Sequence, residues 1–193
     1  MTFTYQLLPH FPTVPQHFVD RALEYQQLFN RNKVVYSHLS EQYKNRQLLK
    51  NNKIEKSVYQ IQYDLGYDFY HWVHENINSS GYECGVAYLD GSWGSTQGAH
   101  TDQRRIYSLL YLLEPGGDDT KTVFYREQGQ EIIRTTPQSY CDNYDLLDVI
   151  DEVQFPVGQW VVLNTQILHG VENVKTRRIS LQASTNVLEN INV

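Results

Sequence analysis

The stretch Arg178-Ile179-Ser180-Leu181-Gln182-Ala183-Ser184 decides the fold class, because polar and apolar side chains alternate along it. A period of two is typical of a β-strand, whose successive side chains point to opposite faces of a sheet. One face of this strand would be apolar, and the other would carry arginine, serine and glutamine. The interior of a barrel that holds a ligand explains such a polar face, so the stretch predicts a ligand-binding barrel.

Other short runs after residue 81 are apolar or alternating, and turn residues separate them. Strands repeated at this spacing predict a sandwich or a barrel rather than βαβ units. The predicted strands cover residues 83–89, 106–113, 122–126, 131–134, 159–168 and 178–187. The segment 135–151 is polar and acidic and contains Pro137, so we predict that it is an insertion at the surface.

The first 80 residues predict a lead-in that is mostly helical. Residues 2–8 suit an edge strand, and apolar residues then recur at helical spacing over 16–30 and again over 67–77. Gly81 follows the second helix as a stop signal. We therefore expect one domain over residues 1–193, mainly β with helices (α+β), with the β core over 81–193.

The composition of the chain favours some kinds of binding partner over others and one cellular compartment. The chain of 193 residues has a net charge of −6 and a sequence pI of about 5.6, which disfavours nucleic acid as a partner. It contains no run of eighteen apolar residues and no signal-peptide pattern, so we expect no membrane association. Cys84 and Cys141 are its two cysteines, too few for a disulfide framework, and this predicts a reducing, cytoplasmic compartment.

The motif with most chemical content is His100-Thr101-Asp102, which places an imidazole and a carboxylate on one side of an extended backbone. His-x-Asp arises easily by chance, so the motif needs further support. His169 supplies it, because it ends a predicted strand where a ligand is easily aimed inward. Two histidines and one carboxylate leave three positions of an octahedron open, an arrangement typical of iron(II) that binds substrate and oxygen together.

Arg178 follows His169 by nine residues, with a turn-like segment between them. The two residues can therefore face each other on adjacent antiparallel strands. Arg178 and Ser180 offer a guanidinium and a hydroxyl on one face, and a guanidinium holds a carboxylate in a bidentate fork. A metal site beside a carboxylate clamp is much harder to obtain by chance than either feature alone.

These motifs, over residues 85–184, resemble those of the 2-oxoglutarate and iron(II)-dependent oxygenase family. The resemblance implies a double-stranded β-helix (a jelly-roll, cupin-like core) with N-terminal helices packed on one sheet. It implies that His100, Asp102 and His169 bind Fe(II), and that Arg178 and Ser180 bind the 5-carboxylate of 2-oxoglutarate. It also implies hydroxylation of a C–H bond of a small-molecule or peptide substrate, with O2 consumed, succinate and CO2 released, and stimulation by ascorbate.

Two tyrosines are similar to pocket residues of the prolyl-hydroxylase-like branch of that family. Tyr111 lies on the strand after His-x-Asp, and Tyr88 lies on the strand before it. The resemblance implies that Tyr111 contacts the 5-carboxylate and that Tyr88 also lines the cosubstrate pocket. For both, the alternative is an ordinary tyrosine of the core, in a chain that has fifteen.

The chain also departs from the patterns of several branches. Gly116-Gly117-Asp118-Asp119 replaces the Gly-Gly-x-Thr-x-Phe run of the prolyl-hydroxylase-like branch, which leaves the subfamily open. Ser184 stands where the nucleic-acid demethylases carry a second arginine. Asp102 is retained, whereas in the halogenases a small residue replaces it. Hydroxylation, or an oxidation derived from it, is therefore the expected outcome.

Other polar residues keep two interpretations. His71 and His74 lie at i, i+3 on a predicted helix, where solvated histidines are the more common case. Arg104 and Arg105 either line the substrate entrance or belong to a solvated loop. The glycine-rich segment 91–99 is predicted as a loop beside the mouth, and a lid role is a hypothesis.

Two other functions remain open on the sequence. The first is a cupin-like metal-binding barrel that uses iron without 2-oxoglutarate. The second is a non-catalytic barrel that binds a carboxylate ligand or a partner. Neither the substrate nor the oligomeric state follows from the sequence.

Overall fold

The computed structural model describes residues 3–32, 46–58, 60–77, 84–102, 105–129, 133–135, 138–186 and 188. Over these residues the chain forms mostly antiparallel β-structure with two α-helices, which confirms the predicted mainly β class with helices. The helices are α1 (Gln16–Asn32) and α2 (Tyr67–Ile77). Gly81, the predicted stop after α2, lies outside the described residues. No helix among them is long and apolar enough to cross a membrane.

The first sheet consists of β1 (Tyr5–Leu8), β4 (Ile61–Tyr63), β5 (Cys84–Asp90), β8 (Tyr107–Pro115), β13 (Trp160–Asn164) and β15 (Arg177–Thr185). These six strands are antiparallel and lie in the order β1-β13-β8-β15-β5-β4. β15 lies between β5 and β8, so the alternating stretch that decides the fold class is a central strand.

The second sheet also has six antiparallel strands, in the order β10-β11-β7-β14-β9-β12. Its strands are β7 (Ala99–His100), β9 (Lys121–Glu127), β10 (Ile133–Thr135), β11 (Gln138–Cys141), β12 (Leu147–Val153) and β14 (Leu168–Glu172). A small third sheet joins β2 (Gln47–Lys50), β3 (Lys53–Val58) and β6 (Thr96–Gln97).

The two faces of β15 have different surroundings, as the alternation predicts. Ile179, Leu181 and Ala183 are fully buried in the largest apolar cluster, which also holds side chains from α1 and α2. Arg178, Ser180 and Gln182 line a cavity instead, and side chains of the second sheet line the same cavity. The polar face of the central strand therefore faces the space between the two six-stranded sheets.

The structure corrects three details of the predicted layout. The predicted strand 159–168 is two strands, β13 and β14, because a turn at Thr165 and Gln166 divides it. The segment 135–151, expected to be a surface insertion, supplies β11 and most of β12 to the second sheet. β12 is an edge strand rich in acidic residues, and such strands resemble loops in sequence.

The third correction concerns the lead-in, which is less helical than predicted because it also contains β2, β3 and β4. β2 and β3 form a hairpin whose turn residues, Asn51 and Asn52, both have positive φ angles, of 53° and 58°. Asparagine tolerates this conformation, which suits a two-residue hairpin turn. The first half of β3 is exposed and charged, so no apolar pattern marks it in the sequence.

Candidate metal and carboxylate site

His100 and His169 lie directly opposite each other, because β7 and β14 pair in antiparallel register at these two residues. The centroids of their rings are 4.6 Å apart. His100 donates from Nδ1 to the carbonyl of Gly98 at 2.8 Å, and His169 donates from Nδ1 to the carbonyl of Ile167 at 2.9 Å. A proton on Nδ1 leaves Nε2 with a free lone pair, the tautomer that binds a metal.

Asp102 completes the cluster from the segment that follows β7. Its backbone N–H donates to the carbonyl of Thr165 at 2.9 Å, which fixes the direction of the chain. One carboxylate oxygen, Oδ1, lies 3.6 Å from Nε2 of His100, and the other, Oδ2, accepts a hydrogen bond from Nε of Arg105 at 2.6 Å. Candidate ligand atoms of His100, Asp102 and His169 all lie within 4.8 Å of one another.

The surroundings of His100 and Asp102 hold these two groups in their metal-binding protonation states. Burial, together with the neighbouring His169, lowers the pKa of His100 to about 4, so its ring is neutral at pH 7. Burial alone would raise the pKa of Asp102, but Arg105 and the two histidines lower it to about 2. A neutral imidazole and an ionised carboxylate are the forms that coordinate a metal.

The donor set therefore suits iron(II). Two imidazole nitrogens and one carboxylate oxygen form a facial triad, and this set is diagnostic of non-haem iron(II) that keeps open positions for other ligands. The described residues around the cavity include no cysteine ligand, and Asp102 is the one acidic residue among them. His100, Asp102 and His169 thus lie together as the sequence predicts.

Arg178 and Ser180 line the same cavity as the triad. The Arg178 side chain is buried, with only 4% of the residue exposed. It donates from Nη1 to the carbonyl of Pro115 at 3.1 Å and from Nη2 to Oγ1 of Thr122 at 3.2 Å. Among the described residues, no carboxylate forms an ion pair with this guanidinium.

A buried cation without an anionic partner is costly, and binding an anion removes that cost. Burial lowers the pKa of Arg178 to about 10, so the guanidinium still carries its charge at pH 7. A bulge lies beside it, where Ile179 faces Glu114 but Ser180 faces Leu112 on β8. Bulges are frequent beside active sites, where they re-aim side chains. The Arg178 end of the cavity is therefore suited to a carboxylate ligand.

The structure places Tyr88 and Tyr111, predicted to line the cosubstrate pocket, outside the residues that line this cavity. Both belong to the apolar cluster that includes the helices, on the faces of β5 and β8 that point away from the cavity. Tyr88 donates to Oδ2 of Asp90 at 2.9 Å, and the Tyr111 ring lies 5.2 Å from that of Trp160. Their neighbours Ala87, Leu89 and Leu110 line the cavity instead.

The other polar residues singled out in the sequence lie in several places. Arg105 is buried at the cavity, as the partner of Asp102, whereas Arg104 lies outside the described residues. His71 and His74 have tyrosine rings of α2 as neighbours and are not in the metal cluster. The segment 91–99, predicted as a loop, contains a short 3-10 turn and strand β6.

Sequence reasoning missed several residues of the cavity wall, notably Ser108, Thr122 and Gln60. Gln182 was visible as part of the polar face of β15, although no role was predicted for it. Ser108 stands alone beside an apolar run, and nothing in the sequence shows that its side chain faces inward.

Comparison with known proteins gives distant structural likenesses. No protein-family model matches the chain, and no curated protein matches it. The chain is similar to a prolyl-4-hydroxylase of Pseudomonas putida, with a TM-score of 0.44 and 16% identity, over 96% of this chain and 93% of that one. It is similar to AviO1 of Streptomyces viridochromogenes Tue57, with a TM-score of 0.42 and 10% identity, over 94% and 89%.

It is also similar to an oxidoreductase of the 2OG-Fe(II) oxygenase family from Burkholderia pseudomallei. That likeness has a TM-score of 0.37 and 14% identity, over 91% of this chain and 97% of that one. All three TM-scores lie below 0.5, so the support for a function comes from the site itself.

Proposed function

We propose that this protein is a 2-oxoglutarate- and Fe(II)-dependent dioxygenase that hydroxylates a C–H bond of a small-molecule or peptide substrate. One observation carries the proposal: the same cavity is lined by a histidine–aspartate–histidine triad and by a buried arginine that pairs with no carboxylate among the described residues. Either feature alone would also suit a protein of another class. Together they match the two needs of this chemistry, a metal with open positions and a clamp for a dicarboxylic acid.

The chain's own residues would act as follows. His100 and His169 would bind iron(II) through Nε2, and Asp102 would bind it through Oδ1, because Arg105 occupies Oδ2. Iron(II) with 2-oxoglutarate supplies the oxidising chemistry, which consumes O2 and releases succinate and CO2. Arg178 would orient the cosubstrate through its 5-carboxylate, with the Ser180 hydroxyl nearby.

Leu89, Leu110 and Val171 line the same cavity and would exclude water from it. A dry site strengthens every electrostatic contact made inside it. The protein's contribution is therefore position and shielding, while the metal and cosubstrate carry the difficult steps.

Three finer parts of the proposal concern architecture and setting. We propose that the two six-stranded sheets form a double-stranded β-helix, with α1 and α2 packed on the first sheet. The single buried cluster shared by both helices and the first sheet supports this packing. A cytoplasmic location is proposed because Cys84 and Cys141 are both free thiols. Ascorbate is proposed as a stimulant of turnover.

An anaerobic titration with iron(II) and then 2-oxoglutarate tests the metal and cosubstrate assignments. We expect a visible charge-transfer band from the chelate in the wild-type protein and its loss in His100→Ala. His10→Ala is the matched control, because His10 is exposed and should leave the band unchanged. A band that persists unaltered in His100→Ala would show that the metal assignment is wrong.

Arg178→Ala separates the proposal from a barrel that uses iron without 2-oxoglutarate. We expect this variant to lose 2-oxoglutarate affinity, whereas an unchanged affinity with retained oxidation would favour that alternative. Succinate formation under iron(II), 2-oxoglutarate, ascorbate and oxygen separates the proposal from a non-catalytic binding module, which would form none with any substrate.

A further inference from the structure

The polar face of β15 continues past the residues that the proposed function uses. Arg178 and Gln182 are four residues apart on this face, which is about 13 Å along an extended strand. The arginine end is assigned to the cosubstrate. The Gln182 end also lines the cavity, and so do Ser108 of β8 and Arg105.

Ser108 is the least satisfied polar group at this end. Only 4% of the residue is exposed, and its Oγ is buried without a hydrogen-bond partner in the described part of the chain. Ser108 lies opposite Ser184 on β15, so it is a diagonal neighbour of Gln182 on the same face of the sheet. Leaving a buried hydroxyl unpaired destabilises the folded protein, so its position in the cavity wall indicates a ligand.

The side-chain amide of Gln182 is oriented so that its N–H groups can donate hydrogen bonds. Its Oε1 accepts a hydrogen bond from Nε2 of Gln62 at 3.3 Å. The side-chain amide N–H groups of Gln182 bond to no acceptor in the part of the chain that the structure describes, so they can donate to a ligand, as can the hydroxyl of Ser108. Two neighbouring donors suit an acceptor group such as a carboxylate.

The charge balance favours an anion over a neutral acceptor. The lining residues with formal charges are Asp102, Arg105 and Arg178. Iron(II) adds two positive charges and 2-oxoglutarate adds two negative charges. The loaded cavity would then hold about one net positive charge, which a substrate carboxylate would neutralise.

From these observations we propose that Ser108 and Gln182, in the cavity that Arg105 also lines, form a second anion subsite that binds a carboxylate of the primary substrate. The proposal rests on the proposed function and deepens it. The substrate class is then a carboxylic acid rather than a hydrocarbon or a neutral amide.

The test uses the protein loaded with iron(II) and saturating 2-oxoglutarate under anaerobic conditions, so that the Arg178 end is occupied. Acetate and propionate are the probes, and acetamide and propionamide are their uncharged counterparts. Two readouts do not depend on turnover: the position of the charge-transfer band and the Tm of the loaded protein. We expect both acids to raise the Tm and shift the band, and both amides to have little effect.

Single-residue variants then test whether the response to acetate depends on Ser108 and Gln182. Ser108→Ala removes one charge-assisted hydrogen bond, so we expect acetate affinity to fall about tenfold. Gln182→Glu places a negative charge at the subsite and should abolish the response to acetate. Ser92→Ala is the control, because Ser92 is exposed, and it should behave like the wild type. An unshifted band with 2-oxoglutarate alone shows that each variant is folded and loaded.

Two groups of results would overturn the proposal. The subsite does not exist if acids and amides act alike, if acetate has no effect, or if Ser108→Ala and Gln182→Glu respond to acetate like the wild type. In those cases the charge-transfer band still forms, so the proposed function stands. If the band never forms in the wild type, the proposed function fails, and the subsite proposal fails with it.

Discussion

Replacing Arg178 with methionine should separate binding from stability, because the guanidinium is buried and no carboxylate among the described residues pairs with it. Burial lowers its pKa from 12.5 to about 10. At 1.36 kcal/mol for each pKa unit, keeping the charge inside costs the folded state roughly 3 kcal/mol. Methionine has a similar length and carries no charge, so Arg178→Met removes this cost.

The same substitution also removes two favourable contacts. The donor is charged, so the hydrogen bonds to Pro115 and Thr122 contribute about 1.5 kcal/mol or more each. The two terms nearly cancel, so Arg178→Met should be about as stable as the wild type when no ligand is present. Binding of 2-oxoglutarate should weaken about a hundredfold or more, since the variant loses a charge-assisted fork worth about 3 kcal/mol or more.

Urea unfolding of the metal-free protein, followed by tryptophan fluorescence, measures the first effect. Titration of the charge-transfer band with 2-oxoglutarate measures the second. A loss of stability greater than about 2 kcal/mol in the metal-free variant would refute the reasoning. It would show that Arg178 stabilises the folded protein even when no ligand is bound.

Two further predictions test the core and the cysteines. Ile179→Ala should lower the free energy of unfolding by about 2–4 kcal/mol, because Ile179 is fully buried on the strand between β5 and β8. The control is Ile54→Ala, which should change this free energy by less than about 0.5 kcal/mol because Ile54 is 71% exposed. Equal effects in urea unfolding would contradict the described packing. Burial raises the pKa of Cys84 to about 12, so iodoacetamide at pH 8 should label it at least about tenfold more slowly in the folded protein than in urea. Equal rates, measured by mass spectrometry of the labelled peptide, would show that the thiol is accessible.

The local pattern of the sequence was sufficient to predict which residues form the triad. The spacing of His100 and Asp102 and the alternation from Arg178 to Ser184 are properties of extended backbone, which directs residues two apart to the same side. The polar face of β15 could be predicted for the same reason, because its two faces differ in chemistry. The segment at 135–151 could not, since a charged edge strand and a solvated loop have similar compositions.

Tyr88 and Tyr111 show why the sequence pattern does not identify every residue that faces the cavity. Leu109, Leu110, Tyr111 and Leu112 are all buried, because β8 has the helix-side cluster on one face and the cavity on the other. A strand covered on both faces shows no alternation, so its sequence does not reveal which residues face the ligand.

The sequence by itself determined the ligand types, the spacing of the triad and the mainly β class. Only the tertiary structure decided that Tyr88 and Tyr111 turn away from the cavity, that Arg105 holds Asp102, and that Ser108 faces inward. The physical reason is that spacing along one strand is local, whereas the face that meets the cavity depends on how distant strands and helices cover the sheet.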